Sequence, residues 1–275
     1  ELASMLQDVL RKDGVRYLLG ADIRRVSRMG EAIRVEAVAG GTAHAVEADA
    51  LLVATGRRPN VEDLGLDAAG VAFGPRGVTV DDRCRTNVRH VFAAGDVTGR
   101  YQFTHMSEHM AKVAVTNALT KWPLKIDARH VPWATYTDPE LAHVGAGEAE
   151  LTERGERYTV FRFPFSKIDR AVTDGETTGL IKVFARKRSG KILGATILGA
   201  GAGDLIGEYA LAMRHGVSLR QISDTIHPYP TYGLGLRRAA DQWYIQNHTP
   251  AFVRLLKTVM RYRGPVNRYA PGQIV

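Results

Sequence analysis

Two short apolar runs, each closed by glycine at its carboxyl end, constrain this chain more than any other feature. The first is Leu51-Leu52-Val53-Ala54-Thr55-Gly56, and the second, further on, is Val91-Phe92-Ala93-Ala94-Gly95-Asp96-Val97. Unbroken apolar residues suit strands buried on both faces of a sheet, as in doubly wound α/β folds. Such sheets bind ligands beyond the carboxyl ends of their strands, where small residues let a cofactor approach the backbone. The carboxylate of Asp96 is placed there to accept hydrogen bonds from ligand hydroxyls. Taken alone, the second run fits equally well a strand end with a turn glycine and a capping aspartate.

The flanking sequence supplies a frame. Residues 2–12 have a helical pattern closed by Asp13-Gly14, and Val15 to Gly20 reads as a strand. Ile33 to Val38, the Gly40-Gly41 turn and Ala43 to Val46 read as a β-hairpin. Short strands are predicted at Leu51–Ala54, Gly77–Val80 and Val88–Ala94, with a helix over His105–Leu119. From about residue 127 the pattern changes. Strands at Tyr158–Phe163, Gly179–Ala185 and Ile192–Leu198 alternate with helices at Asp204–His215, Leu219–Thr225 and Gly235–Gln246, which describes a separate α+β domain. The chain opens at Glu1 inside an amphipathic pattern (Leu2, Met5, Leu6, Val9, Leu10) and reads as incomplete at its front.

Composition excludes several classes. The single cysteine, Cys84, rules out an intrachain disulfide, a Cys-rich zinc site and a dithiol couple made by this chain alone, and no metal site is expected. It reads as a packed or edge-strand thiol. The net charge of +8 is dispersed rather than gathered in a patch with interleaved aromatics, so nucleic acid is not an expected partner. No run approaches the roughly 18 apolar residues of a spanning helix, and no basic-then-apolar signal opens the chain, so a cytoplasmic protein is expected. The tail from Gln246 to Val275 carries Arg254, Lys257, Arg261, Arg263 and Arg268 and no acid. It places Phe252, Leu255, Leu256 and Val259 on one helical face, which suits either an anionic membrane surface, a membrane-peripheral location, or the protein body.

The two glycine-closed runs, in this order, resemble the paired motifs of flavoproteins with two dinucleotide-binding domains. Thr137-Asp138-Pro139-Glu140-Leu141-Ala142-His143-Val144-Gly145, Gly179-Leu180-Ile181-Lys182-Val183 and Lys191-Ile192-Leu193-Gly194 resemble the dimerisation domain of the class I pyridine nucleotide-disulfide oxidoreductases. These include dihydrolipoamide dehydrogenase, glutathione reductase and mercuric reductase. The resemblance covers residues 1–246 and corresponds to the C-terminal half of the family. It implies an α/β remnant of two Rossmann-like dinucleotide-binding domains followed by an α+β dimerisation domain. The divisions are 1–62 for a partial NAD(P)-binding domain, 63–124 for the C-terminal part of the FAD-binding domain, 125–246 for dimerisation and 247–275 for the basic tail.

The same resemblance implies FAD and NAD(P)H as cofactors, a homodimer, and a small-molecule electron acceptor reduced in the complete protein. It maps the flavin contact to Asp96 and to Phe103, Thr104 and His105 at the start of the next helix, with Gly56 and Gly95 at the two strand ends. Gly199-Ala200-Gly201-Ala202-Gly203 imitates a dinucleotide fingerprint, but its third glycine would fall on Asp204, and a tight strand-to-helix turn is expected instead.

Disulfide reductases of the family carry His-Pro-Thr with a glutamate five residues after the histidine, an acid–base pair for thiol–disulfide exchange. In Ile226-His227-Pro228-Tyr229-Pro230-Thr231-Tyr232, Tyr229 takes the histidine position, and Leu234 takes that of the glutamate. A tyrosine titrating near pH 10 is poorly matched to proton shuttling at neutrality. Mercuric reductase-like members place a tyrosine there, although they end in a vicinal cysteine pair where this chain reads Gly272-Gln273-Ile274-Val275. His227 is a candidate base, against the plainer reading of a histidine bonded to backbone in a proline-rich turn. Two alternatives stand beside the enzyme: a non-catalytic dimerisation module, and a flavin NAD(P)H oxidoreductase without disulfide chemistry.

Overall fold

The computed structural model describes residues 1–120, 122–247, 250–261 and 263, without the side chains of 250–253 and 256. Phe252, Leu256 and the stretch Gly272 to Val275 therefore fall outside what is described. The chain divides into two compact units, one of residues 1–8 and 127–275 and one of residues 9–126.

The second unit follows α1 (Leu2–Lys12), the helix its amphipathic spacing predicts. Its sheet is an antiparallel meander of β1 (Asp22–Met29), β2 (Ala32–Ala39) and β3 (Thr42–Ala48). The hairpin β2–β3 lies where the Gly40-Gly41 turn puts it, with Val35 opposite Val46. A two-residue ladder, β4 (Phe73–Gly74) with β5 (Gly77–Val78), and the long helix α2 (Thr104–Leu119) complete the unit. Cys84 is buried, its Sγ donating to the Met110 carbonyl at 3.4 Å. Burial pushes the thiol up to about 11, so it is an inert packed group.

Three expected strands are not formed here. Val15–Gly20 is turn and coil, Leu51–Ala54 is coil without a ladder, and Val88–Ala94 is reduced to one bridge, Arg85 with Phe92. A strand exists only through bonds to its neighbours, and among the described residues these runs have no neighbouring strand. Leu52 and Val53 are accordingly 88% and 71% exposed, the reverse of the expected burial.

The first unit is built on a five-stranded antiparallel sheet, ordered β6 (Trp133–Thr135), β7 (Glu140–Gly145), β10 (Ile192–Gly199), β9 (Leu180–Ala185), β8 (Thr159–Pro164). Single-turn helices α3 (Glu148–Glu153) and α4 (Asp169–Asp174) lie in its connections. One sheet face, with Phe161, Phe163, Ile181, Val183 and Ile197, packs on α5 (Ala202–His215), α6 (Leu219–Asp224) and α7 (Leu234–Asn247) to make the core. The helices start and stop by local chemistry. Ser218 and Gln221 form a reciprocal capping box at α6, and Gly216 ends α5 in the left-handed conformation. A final helix, α8 (Pro250–Val259), follows.

The other sheet face carries a charged cluster. Lys182, only 5% exposed, lies 2.6 Å from Glu1 and 2.7 Å from Glu148, and Arg162 clasps Glu1 through two bonds of 2.9 and 3.0 Å. Arg162 first, then Lys182, holds the Glu1 carboxyl down at about 2 from an ordinary 4.5. A depressed carboxyl stabilises the fold above its ordinary value, and that contribution is lost as pH falls from about 4.5 through about 2. Glu1 is 36% exposed, so screening limits the effect to about 1 kcal/mol. Thermal midpoints measured down this acid range should fall more steeply for the wild type than for Glu1→Gln; parallel curves would refute the assignment.

Candidate active site

Within the second unit the two glycine-closed motifs meet. Gly56, with φ 125°, precedes Arg57, whose Nη1 lies 3.5 Å from Asp96 Oδ2 and donates to the Gln102 carbonyl at 3.2 Å. Both side chains are largely open to solvent, so the pair adds little stability. Its meaning is positional: one guanidinium ties the first motif to the second and to the segment leading into α2. Asp96 opens a short helical turn, Asp96–Thr98, held by the Thr98 hydroxyl donating to the Gly95 carbonyl at 2.8 Å. Gly95 has φ 80°, and a Cβ there would lie 2.9 Å from Ser107 Oγ. The glycine is required both by its left-handed backbone and by the close approach of α2.

Phe103 is the N-cap of α2 and makes no side-chain cap bond, so no side chain caps the first turn, whose N–H groups face an anion-favouring potential. The Phe103 and His105 rings stack at 5.2 Å and 12°, while Thr104 and His105 are exposed. A half-exposed carboxylate, small residues at a strand end and a helix start without a side-chain cap fit a flavin's hydroxyl-bearing chain and electron-rich ring. The glycine-rich strand-to-helix turn Gly199–Gly203 gives its Gly203 N–H to Glu140 Oε2 at 2.8 Å, so an internal carboxylate occupies the anion position and the turn is not a phosphate cradle. Among the described residues no group of three or more His, Cys, Asp or Glu could hold a metal ion.

Tyr229 and His227 belong to the other unit, in the loop between α6 and α7. Tyr229 is 68% exposed. The Asp169 carboxylate, by hydrogen bonding and then by charge, pushes its ionisation above the usual tyrosine range, so the hydroxyl stays protonated at neutrality. Leu234, 8% exposed, lines a cleft with Phe163, Ile168 and Gly235, and offers no carboxylate where the family pattern has one. The His227 ring is almost covered. Nδ1 donates to the Thr225 carbonyl at 3.0 Å, and Nε2 meets Glu208 Oε1 at 3.1 Å. Both partners are oxygen acceptors, so the ring is held by acceptors on its two nitrogens.

Sequence reasoning missed Asp169 and Glu208. Glu208 stands between Gly207 and Tyr209 on an otherwise largely apolar helix, and a carboxylate in such a place is the signal that was available.

These features define a flavoprotein oxidoreductase fold with a dimerisation unit. The model for "Pyridine nucleotide-disulphide oxidoreductase" matches residues 1–111, and that for the family's dimerisation domain matches residues 131–240. Mitochondrial dihydrolipoyl dehydrogenase of Homo sapiens is 35% identical over 243 residues, 87% of this chain and 48% of the relative. Among solved structures, the HOCl-induced flavoprotein disulfide reductase RclA from Escherichia coli superposes with a TM-score of 0.79 at 28% identity, covering 88% of this chain and 55% of RclA. LpdA from Mycobacterium tuberculosis gives 0.80 at 26%, covering 87% of this chain and 52% of LpdA.

The chain belongs to the class I pyridine nucleotide-disulfide oxidoreductase family, whose members use FAD and NAD(P)H. It spans about half the length of the curated relatives it matches.

Proposed function

We propose that residues 1–275 supply the flavin-facing strand end and the dimerisation unit of an FAD-dependent NAD(P)H oxidoreductase of mercuric reductase-like type, acting on a small-molecule electron acceptor. The observation that carries this reading is the Arg57–Asp96 pair, which brings the two motifs to one point. A bound flavin would supply the electron chemistry. Asp96 accepts hydrogen bonds from the cofactor's hydroxyls, Gly95 keeps that approach open, and Phe103 to His105 present the start of α2 to the ring.

Tyr229, kept protonated by Asp169, exchanges that bond for one in which its single hydroxyl proton is donated to the acceptor, rather than shuttling protons. With Leu234 in place of a glutamate, the His–Glu route for dithiol exchange is absent, which favours transfer to the acceptor without that step. Tyr229 acts at the flavin of a second copy, so a two-fold homodimer completes the site. A cytoplasmic location goes with this proposal, supported by a lone buried thiol.

The test is anaerobic addition of NADH or NADPH to the FAD-loaded complete protein, since residues 1–275 by themselves are expected to be inactive. The visible flavin band is expected to bleach and to return when an acceptor is admitted. A flavin that neither nucleotide reduces would refute the activity and favour the non-catalytic dimerisation module.

A further inference from the structure

The cleft that Leu234 lines is joined to Tyr229 through one residue. Asp169 stands on its rim and holds the Tyr229 hydroxyl by a hydrogen bond. The cleft encloses about 330 Å3, within the range of small-molecule sites, and lies wholly inside the dimerisation unit. Its floor is apolar. Phe163, Ile168 and Leu234 are all buried, and Gly235 brings α7 down onto Ile168, where a Cβ would run into the isoleucine side chain.

The rim is charged, with Lys167, Asp169 and Arg238 all exposed. Two cations against one carboxylate make the mouth positive. Among the described residues Arg238 meets a carboxylate only at Asp241, at 3.8 Å, which is too far for a hydrogen bond. Its guanidinium therefore keeps donors to give a ligand.

These two parts sort the possible occupants. A metal cation would meet one carboxylate and two positive charges, the wrong donor set. A disulfide would find no acid–base pair, because Leu234 stands in the glutamate position. A molecule with an apolar body and one anionic group satisfies both floor and rim.

We propose that this cleft binds the electron acceptor and selects an organic monoanion, its apolar body on Phe163, Ile168 and Leu234 and its carboxylate or sulfonate on Arg238. The inference rests on the reading of Tyr229 as the group that meets the acceptor. Leu234 then has a role that a glutamate could not fill, since a carboxylate on the floor would repel the anion and carry water into the cleft.

The experiment is fluorescence titration of the full chain with anilinonaphthalene sulfonate, an apolar ring system bearing one sulfonate, and with phenylnaphthylamine, the same rings without the charge. The sulfonate is expected to bind the more tightly, and the neutral probe to displace it. Arg238→Gln should weaken the sulfonate by about tenfold and the neutral probe by less than about twofold, and Arg238→Lys, which keeps the charge, should recover part of the loss. Arg238 is exposed, so the melting temperature should not change. Equal sulfonate affinity in wild type and Arg238→Gln, or equal weakening of both probes, would overturn the subsite. Neither titration needs flavin or nucleotide, so the two readings fail separately. Flavin bleaching in the complete protein without probe binding would overturn the cleft alone, whereas probe binding without bleaching would overturn the acceptor role together with the reading beneath it.

Discussion

Gly199→Ala should lower the stability of the dimerisation unit by about 3–5 kcal/mol, whereas Gly201→Ala, two positions on, should cost only about 1–2 kcal/mol. The two glycines look alike in sequence and differ in their surroundings. Gly199 has φ 152°, and a Cβ there would fall 2.3 to 2.6 Å from three ring atoms of Phe165. That ring is fully buried and cannot yield without disturbing the core. Gly201 has φ 66° and nothing within 4 Å of its would-be Cβ, so an alanine there meets backbone strain alone. Urea unfolding midpoints at constant slope measure the difference. Equal midpoints would mean that Phe165 does not dictate the glycine, and would return the turn to consideration as a ligand cradle.

The second large effect is functional. Tyr229→Phe is expected to slow acceptor turnover by about 10- to 100-fold, the worth of one hydrogen bond in the reacting complex, with flavin content unchanged. The side chain is mostly exposed and holds no core contact whose loss would unfold the loop. Because Asp169 raises the tyrosine's ionisation, the donating hydroxyl is present below that raised value and is lost only above it. The wild-type rate should therefore show no step from this group through neutrality. Turnover unaffected by the substitution would remove Tyr229 from the site, and loss of flavin would show that its role is structural.

The dimerisation unit was the more legible part. The strands expected at Tyr158–Phe163, Gly179–Ala185 and Ile192–Leu198 match β8, β9 and β10, because their neighbours in the sheet all lie within the described residues. Strand β1 was missed on other grounds. Asp22-Ile23-Arg24-Arg25-Val26-Ser27-Arg28-Met29 is exposed almost throughout, so no two-residue rhythm marks it. Strand β7 hid behind Pro139 and a histidine, although its residues were recognised as a motif. The runs at Leu51–Ala54 and Val88–Ala94 failed for want of neighbours, since apolar residues indicate a buried strand only when a sheet surrounds them. At the site, Gly95, Asp96 and the start of α2 were readable from local sequence. Asp169 beside Tyr229 and Glu208 on His227 were not, being 60 and 19 residues away, contacts that only the fold creates.

The central claim is that the strand end at Asp96 meets the flavin, and the most direct measurement is the visible flavin absorbance of protein purified in the presence of FAD, wild type beside Asp96→Ala. Losing charge-assisted bonds of about 1.5–3 kcal/mol should weaken flavin retention by about 10- to 100-fold, leaving the variant pale and the wild type yellow. A wild type that takes up no flavin, or a variant that remains as yellow as the wild type, would contradict the account.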